Sequence, residues 1–122
     1  MKKLIVVTVM LMIAVQAWGE DALNLPWKRI VKAPGYELWY DSSTVKETPQ
    51  YIDVDEWELD GNNGTSKNRH TRFERSTGRS AIGEVKGYKG DRLMGHYDFA
   101  KNGYMFKKAV PEERKLFRVL NK

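Results

Sequence analysis

The chain contains no cysteine, four prolines and two histidines among its 122 residues. Without cysteine there is no disulfide to staple the fold, no thiolate nucleophile and no site for a cysteine-linked lipid anchor. The two histidines, His70 and His96, lie far apart in the sequence. A zinc site needs three or four ligands, so carboxylates would have to complete it, and no metal is expected. No glycine-rich loop leads into a helix to cradle phosphate, no Gly-x-Ser-x-Gly is present, and neither histidine has a recognisable catalytic partner. Adjacent acids such as Asp55 and Glu56 point to opposite faces of a strand, which argues against a simple acid pair. The expectation is a non-enzymatic protein without a cofactor.

What is present begins with a leader. Lys2 and Lys3 precede an apolar run from Leu4 to Val15 that only Thr8 interrupts, and Gln16-Ala17-Trp18-Gly19 follows with small residues. This is the three-part plan of a secretory signal peptide over residues 1–19. Cleavage after Gly19 removes 19 of the 122 residues and leaves 103; cleavage after Ala17 is the alternative. The apolar run falls short of the roughly 20 residues that a spanning helix needs, so no membrane span is expected once the leader is gone. An exported protein of the periplasm, cell surface or extracellular space is implied. Residues 20–122 are of a size for one domain. Loss of Lys2 and Lys3 lowers the net charge from +5 to +3, too mild a balance to indicate a nucleic-acid partner.

The pattern over residues 20–122 is mostly that of strands. Trp27 to Lys32 reads as a first strand, Pro34-Gly35 as a turn, and Tyr36 to Tyr40 as an alternating second strand. Asp41, Ser42 and Ser43 offer short acceptors to free backbone N–H groups, and Ser42 to Lys46 is expected to form one helical turn with Val45 pointing inward. After Pro49, an acid-rich strand from Gln50 to Leu59 meets a turn at Asp60-Gly61-Asn62-Asn63-Gly64, then a basic strand from Lys67 to Arg75. A register in which paired residue numbers sum to 125 sets Glu58 against Lys67, Glu56 against Arg69, Val54 against Thr71, and Ile52 against Phe73. On the other face it sets Asp55 against His70 and Asp53 against Arg72. Opposite charges across a ladder favour this register over its neighbours. Ser80 to Tyr88 and Arg92 to Phe99 form a second expected hairpin about Gly90-Asp91, with Tyr88 opposite Leu93 and Ile82 opposite Phe99. Glycines 83, 87 and 95 blur that alternation and mark candidate bulges. A short last strand is expected over Tyr104 to Lys107. Pro111 then opens a helix with Glu112 and Glu113 in its first turn and Leu116, Val119 and Leu120 on one face. The fold class is α+β: an antiparallel sheet of five or six strands with a C-terminal helix packed on one face.

The candidate binding residues are basic: Lys67, Arg69, Arg72, Arg75 and Arg79. Arg69 and Arg72 are paired with acids by the register above, and the plainer reading makes them part of the sheet. Arg75 and Arg79 have no obvious acidic partner and are the stronger candidates for an acidic partner surface. Trp27, Trp39, Trp57, Tyr36, Tyr40, Tyr51, Tyr88 and Tyr97 divide between core packing and a ligand-contacting face.

In order along the chain, Trp27-x-x-Ile30, Tyr40-Asp41-x-Ser43-x-Val45, Ile52-x-Val54-x-x-Trp57, Arg72-Phe73-Glu74 and a closing helix with Pro111 before Leu116-Phe117 make it resemble the surface-adhesin protein E-like family of small secreted bacterial proteins. The resemblance implies the same antiparallel sheet and helix, and a role in attachment to host or matrix proteins. A module that binds or inhibits an envelope or foreign enzyme is the alternative. Two departures stand out. Family members join a central strand to the helix through cysteines, at places that fall here near Ser76 and Leu120-Asn121. The helix is therefore expected either to dock through Leu116, Phe117 and Leu120 alone or to be mobile. The family's adhesin is also lipid-anchored, which a chain without cysteine is not.

Overall fold

A computed structural model describes residues 26–121, and the expected leader lies outside them. Six strands follow one another in space as they do in sequence: β1 (Trp27–Ala33), β2 (Tyr36–Glu47), β3 (Tyr51–Asp60), β4 (Thr65–Glu74), β5 (Ser80–Lys89) and β6 (Arg92–Asp98). Every neighbouring pair is antiparallel. Among the described residues one helix, α1 (Pro111–Leu120), follows the sheet. The α+β class and the sheet are as expected.

The β3–β4 hairpin holds the expected register from Tyr51↔Glu74 to Asp60↔Thr65, with each charge pair opposite its partner. Three other expectations are corrected. Ser42 to Lys46 is not a helical turn; β2 runs through it as a wide bulge, the register shifting between Asp41 and Lys46. The side chains that favour a turn are used within the sheet instead. Asp41 Oδ1 accepts the Ser43 N–H at 2.9 Å, and the Thr44 hydroxyl donates to the Asp41 carbonyl while accepting the Asp55 N–H. Ser42 donates its N–H to the Pro26 carbonyl, so the bulge is tied on both sides. Val45 packs against the core as anticipated.

The second hairpin keeps Tyr88 opposite Leu93 but then shifts, so that Gly87 faces Gly95 and Glu84 faces Asp98. Ile82 is not opposite Phe99; Phe99 donates its N–H to the Gly83 carbonyl. With glycine on both strands no side chains resist the extra residue, Met94, that β6 accommodates. Tyr104 to Lys107 is not a strand either. A single bridge joins Lys107 to Ser80.

Alternation sends two apolar sets to opposite faces of the sheet. Ile30, Leu38, Ile52, Val54 and Phe73 meet Leu116 of α1, with Phe117, Val119 and Leu120 packed around them. The Phe73 and Phe117 rings lie 5.5 Å apart. On the other face Trp39, Trp57 and Tyr88 form a second cluster, flanked by Trp27, Leu59 and Leu93. At one end of the sheet three turns are linked by backbone bonds: Gly61 N–H to Gly35 O, and Gly90 N–H to Gly64 O, both 2.9 Å.

Gly35 adopts φ +73°, and a Cβ there would come within 2.3 Å of the Asn62 side chain. Gly64 adopts φ +64° with nothing within 4 Å of such a Cβ. Both substitutions incur the left-handed backbone penalty of roughly 1–2 kcal/mol, but only Gly35→Ala must also displace Asn62. Gly35→Ala is therefore expected to lower the urea midpoint more than Gly64→Ala; equal midpoints would show that Asn62 moves freely.

Candidate binding groove and its charged floor

The face under α1 changes character along β3. Ile52 and Val54 are apolar, but Glu56 and Glu58 continue the same face beneath the N-terminal turn of the helix. Glu56 is fully buried. Its cross-strand neighbour Arg69 reaches under the helix and donates from Nη2 to Glu113 Oε1 at 2.8 Å. The same guanidinium lies 3.5 Å from Glu58 Oε2 and 3.6 Å from Glu56 Oε2. Tyr36 donates its hydroxyl to Glu58 at 3.0 Å, and the Thr71 hydroxyl donates to Glu56 Oε2.

One guanidinium thus serves three carboxylates. Burial pushes the Glu56 carboxyl well above the usual range, and the negative charge of Glu113 pushes it further, against Arg69 and Thr71, which favour the anion. Burial works against the Arg69 charge, but Glu56, Glu113 and Glu58 more than offset it and hold the guanidinium protonated. Burial and the Glu58 charge raise the Tyr36 phenol. Glu56 Oε1 and Glu113 Oε2 are buried acceptors without a donor. A proton on Glu56 that bonds to Glu113 serves both oxygens at once, and such a bond between the two side chains is among the causes of the raised Glu56 value. The cluster links β3 and β4 to α1 through one cation and three acidic side chains, of which Glu56 is the one pushed towards its neutral form.

Beside this cluster runs a half-open groove of about 480 Å³. Tyr36, Glu58, Arg69, Thr71 and Glu113 form its floor; Ile82, Phe99, Met105 and Val110 form its apolar wall; Lys107, Lys108 and Glu112 stand on it too. The wall is unusually open: Phe99 is 60% exposed, Met105 73% and Val110 53%. A second depression of about 720 Å³ lies among the glycine turns at the end of the sheet, lined by residues 32–37, Leu59 to Gly61, Gly64 to Ser66, and Gly90. It is larger, but turn backbone makes up much of its lining, and it offers less side-chain chemistry.

The opposite face carries a different polar set. Arg72 makes a two-pronged contact with Asp53, Nε to Oδ1 at 2.8 Å and Nη2 to Oδ2 at 3.2 Å. Its guanidinium lies over the Tyr104 ring at 4.2 Å and the Tyr51 ring at 4.8 Å. His70 bridges Asp55 at 3.1 Å and Asp53 at 3.3 Å. The hydrogen bond to Asp55 raises the imidazole above its ordinary value despite partial burial, with the Asp53 charge adding to it. The chain near Tyr104 crosses this face where Gly83 leaves room: a Cβ there would meet the Tyr104 hydroxyl and His70, each at 3.3 Å. Among the described residues no cluster of three or more histidine or acidic side chains is arranged to hold a metal ion.

The five basic candidates do not form one surface. Arg69 is on the helix-bearing face and nearly buried; Arg72 is on the opposite face beneath aromatic rings. Arg75 was expected to lack an acidic partner, but it bonds the Thr48 carbonyl at 3.0 Å and lies 3.7 Å from Glu47. Lys67 and Arg79 stand exposed. The groove itself was not foreseen. Its signal was the unpatterned apolar set Phe99, Met105 and Val110 between β6 and the helix. No family model, no curated protein and no solved structure matches the chain. Among the described residues no helix is long and apolar enough to cross a membrane.

The charge arrangement predicts an unusual pH dependence. A group whose folded pKa is raised stabilises the fold fully below its unfolded pKa and loses that contribution as pH rises through the folded value. Glu56 and His70 both have raised values, so both act in this direction. Thermal melts from about pH 5 to about pH 9 are expected to show falling stability for the native sequence, starting above the unfolded glutamate pKa near 4.3. Glu56→Gln, which keeps a donor towards Glu113, is expected to fall less, its remaining slope being that of His70. Parallel profiles would show that Glu56 is ionised throughout. Arg69→Met strands the carboxylates and is expected to cost about 3–5 kcal/mol at neutral pH, measured by urea unfolding.

Proposed function

We propose that this chain is an exported, non-enzymatic protein-binding module, and that the groove beside α1 receives an apolar segment of its protein partner. The observation that supports this most is the gathering of exposed large hydrophobics. Among the described residues the six are Ile82, Met94, Tyr97, Phe99, Met105 and Val110, all in β5, β6 or the stretch that follows them, and Ile82, Phe99, Met105 and Val110 line the groove. Scattered exposed apolar residues need no explanation, but a contiguous set around a groove points to a partner. Met105 adds an adaptable side chain suited to an irregular apolar contact. Lys107 and Lys108 beside the wall favour a segment flanked by acidic residues. The buried carboxylates favour binding over catalysis, because Glu56 has no exposed surface for a substrate to reach. Attachment to matrix proteins is the form of binding that the adhesin-like resemblance implies. A single envelope or foreign enzyme as partner is the alternative within the same reading.

Capture by the immobilised protein from a matrix-protein panel and, separately, from the source organism's envelope extract tests this at low and high salt. Ile82→Glu and Met105→Glu are each expected to weaken capture about tenfold or more, a loss of about 1.4 kcal/mol. Arg75→Glu with Arg79→Glu is expected to reduce only a salt-sensitive part, since exposed charges are screened. Capture unchanged by both groove variants would overturn the assignment of the groove.

A further inference from the structure

The charge of the chain is unevenly placed. Residues 26–98, which include the whole sheet, carry twelve basic and twelve acidic residues. Residues 99–122 carry seven basic residues against Glu112 and Glu113 alone, a balance of +5. The pairing is uneven too. Arg29, Arg69, Arg72 and Arg75 each have an acidic partner. Lys101, Lys107, Lys108, Arg114, Lys115 and Arg118 are exposed, and none forms an ion pair with another described residue. Most of these cations gather on one side of the molecule. Glu113 and Leu116 are buried beneath α1, and Phe117, Val119 and Leu120 pack inwards with them. Arg114, Lys115 and Arg118 are left as the outer face of the helix. Arg114 folds back and donates from Nη1 to the Ala109 carbonyl, which sets its charge at the elbow where the preceding stretch meets the helix. Lys107 and Lys108 come just before that elbow and stand on the groove, on the same side of the sheet as α1. Met105 and Val110 lie on that groove too, both largely exposed. The acids of the helix are withdrawn: Glu113 is buried against Arg69, and Glu112 is half-buried.

We infer that this side of the protein docks on an anionic lipid bilayer, with the cations against the headgroups and Met105 and Val110 in the boundary beneath them. This goes beyond the groove reading and does not depend on it. Met105 and Val110 serve both readings, but the helix cations serve only the bilayer. Charge complementarity selects an anionic surface. Three features select lipid over an acidic protein. The cations of α1 lie on its outward, convex face, where a folded partner would have to supply a matching concavity and a sheet of mobile lipids need not. Lys107, Lys108 and Lys115 are point charges on flexible stems, which suit mobile headgroups better than a fixed fork does. Exposed apolar side chains set among cations supply the two contributions that together hold a protein at a bilayer surface, apolar burial and attraction to anionic lipid. The contact is peripheral, since among the described residues no helix is long and apolar enough to cross a membrane.

Co-sedimentation of the purified protein with vesicles tests this. Vesicles of phosphatidylcholine mixed with phosphatidylglycerol are expected to carry the protein down at low salt, and vesicles of phosphatidylcholine alone are not. Each cation near an anionic bilayer contributes about fivefold to partitioning. Lys115→Gln with Arg118→Gln keeps good helix formers at exposed positions. That double variant is expected to weaken uptake about 25-fold with unchanged circular dichroism. Its capture of a groove partner is expected to match that of the native chain, because neither residue lines the groove. Val110 is the N-cap residue of α1 and makes no side-chain cap. Val110→Asp supplies a favoured cap while replacing an apolar contact by an acid. It is expected to stay folded and to lose about tenfold or more in uptake. Equal uptake by both kinds of vesicle, uptake by neither, or uptake unchanged in the double variant overturns the inference. Retention on immobilised polyaspartate without uptake by vesicles also overturns it, and assigns the cations to an acidic polypeptide instead. If the double variant fails to fold, Val110→Asp decides. Vesicle uptake and groove capture are separate readouts, so failure of one leaves the other standing.

Discussion

Arg69 puts a fixed positive charge where the sheet meets the helix, and much of the helix-bearing face is arranged around the need to compensate it. A buried guanidinium is tolerated only if its donors find acceptors and its charge finds countercharge. Glu113 in the first turn of α1 accepts its hydrogen bond, and Glu58 and Glu56 on the neighbouring strand add countercharge at 3.5 and 3.6 Å, while Nε finds no acceptor. The helix is thereby docked at both ends by different physics. Leu116, Phe117, Val119 and Leu120 hold it through apolar burial, and Glu113 holds it through charge. With no cysteine in the chain, this tie between sheet and helix is wholly non-covalent. Three carboxylates for one cation is an excess, and burial together with the Glu113 charge pushes the Glu56 carboxyl towards its neutral form.

The second face compensates the absence of covalent staples in another way. A sheet with one bare face would leave about half of its side chains in water. Here Trp39, Trp57 and Tyr88 close one part of that face, and the chain around Tyr104 and Phe106 crosses another. Arg72 joins the two regimes. Its charge is held by Asp53, while its flat surfaces rest on Tyr51 and Tyr104. Arginine suits this place because a planar guanidinium can fork to a carboxylate and stack on rings at once.

How legible this was in the sequence depended on whether side chains or backbone decided the outcome. The β3–β4 register followed from alternation and charge because six opposed pairs agree on one offset and contradict the adjacent ones. The β5–β6 register went astray at Gly87 and Gly95, where there are no side chains to vote. The stretch from Ser42 to Lys46 was misread because the same short acceptors serve a helical turn and a strand bulge. Only the position of Pro26 and Thr44 against neighbouring strands decides between them. Glu113 was legible as a favourable charge at a helix N-terminus but not as Arg69's partner, since no local pattern connects residues 44 positions apart. The basic run was rightly seen as charge-paired in part. Its division between two faces follows from alternation alone.

The sheet is energetically lopsided, and that lopsidedness carries the functional argument. From β1 to β4 both faces carry buried clusters, the arginines are paired with acids, and the outer edge is guarded by cations. From β5 onward glycines thin the packing, large apolar side chains face water, and the last edge carries a single such cation, Arg92. Exposed apolar surface and free strand edges both lower solubility and invite aggregation, so neither is kept near the other without cost. Here they adjoin: Phe99 lies at the end of the open edge and also on the wall of the groove. A partner that occupies the groove would cover part of that deficit, because Phe99 serves the edge and the wall at once.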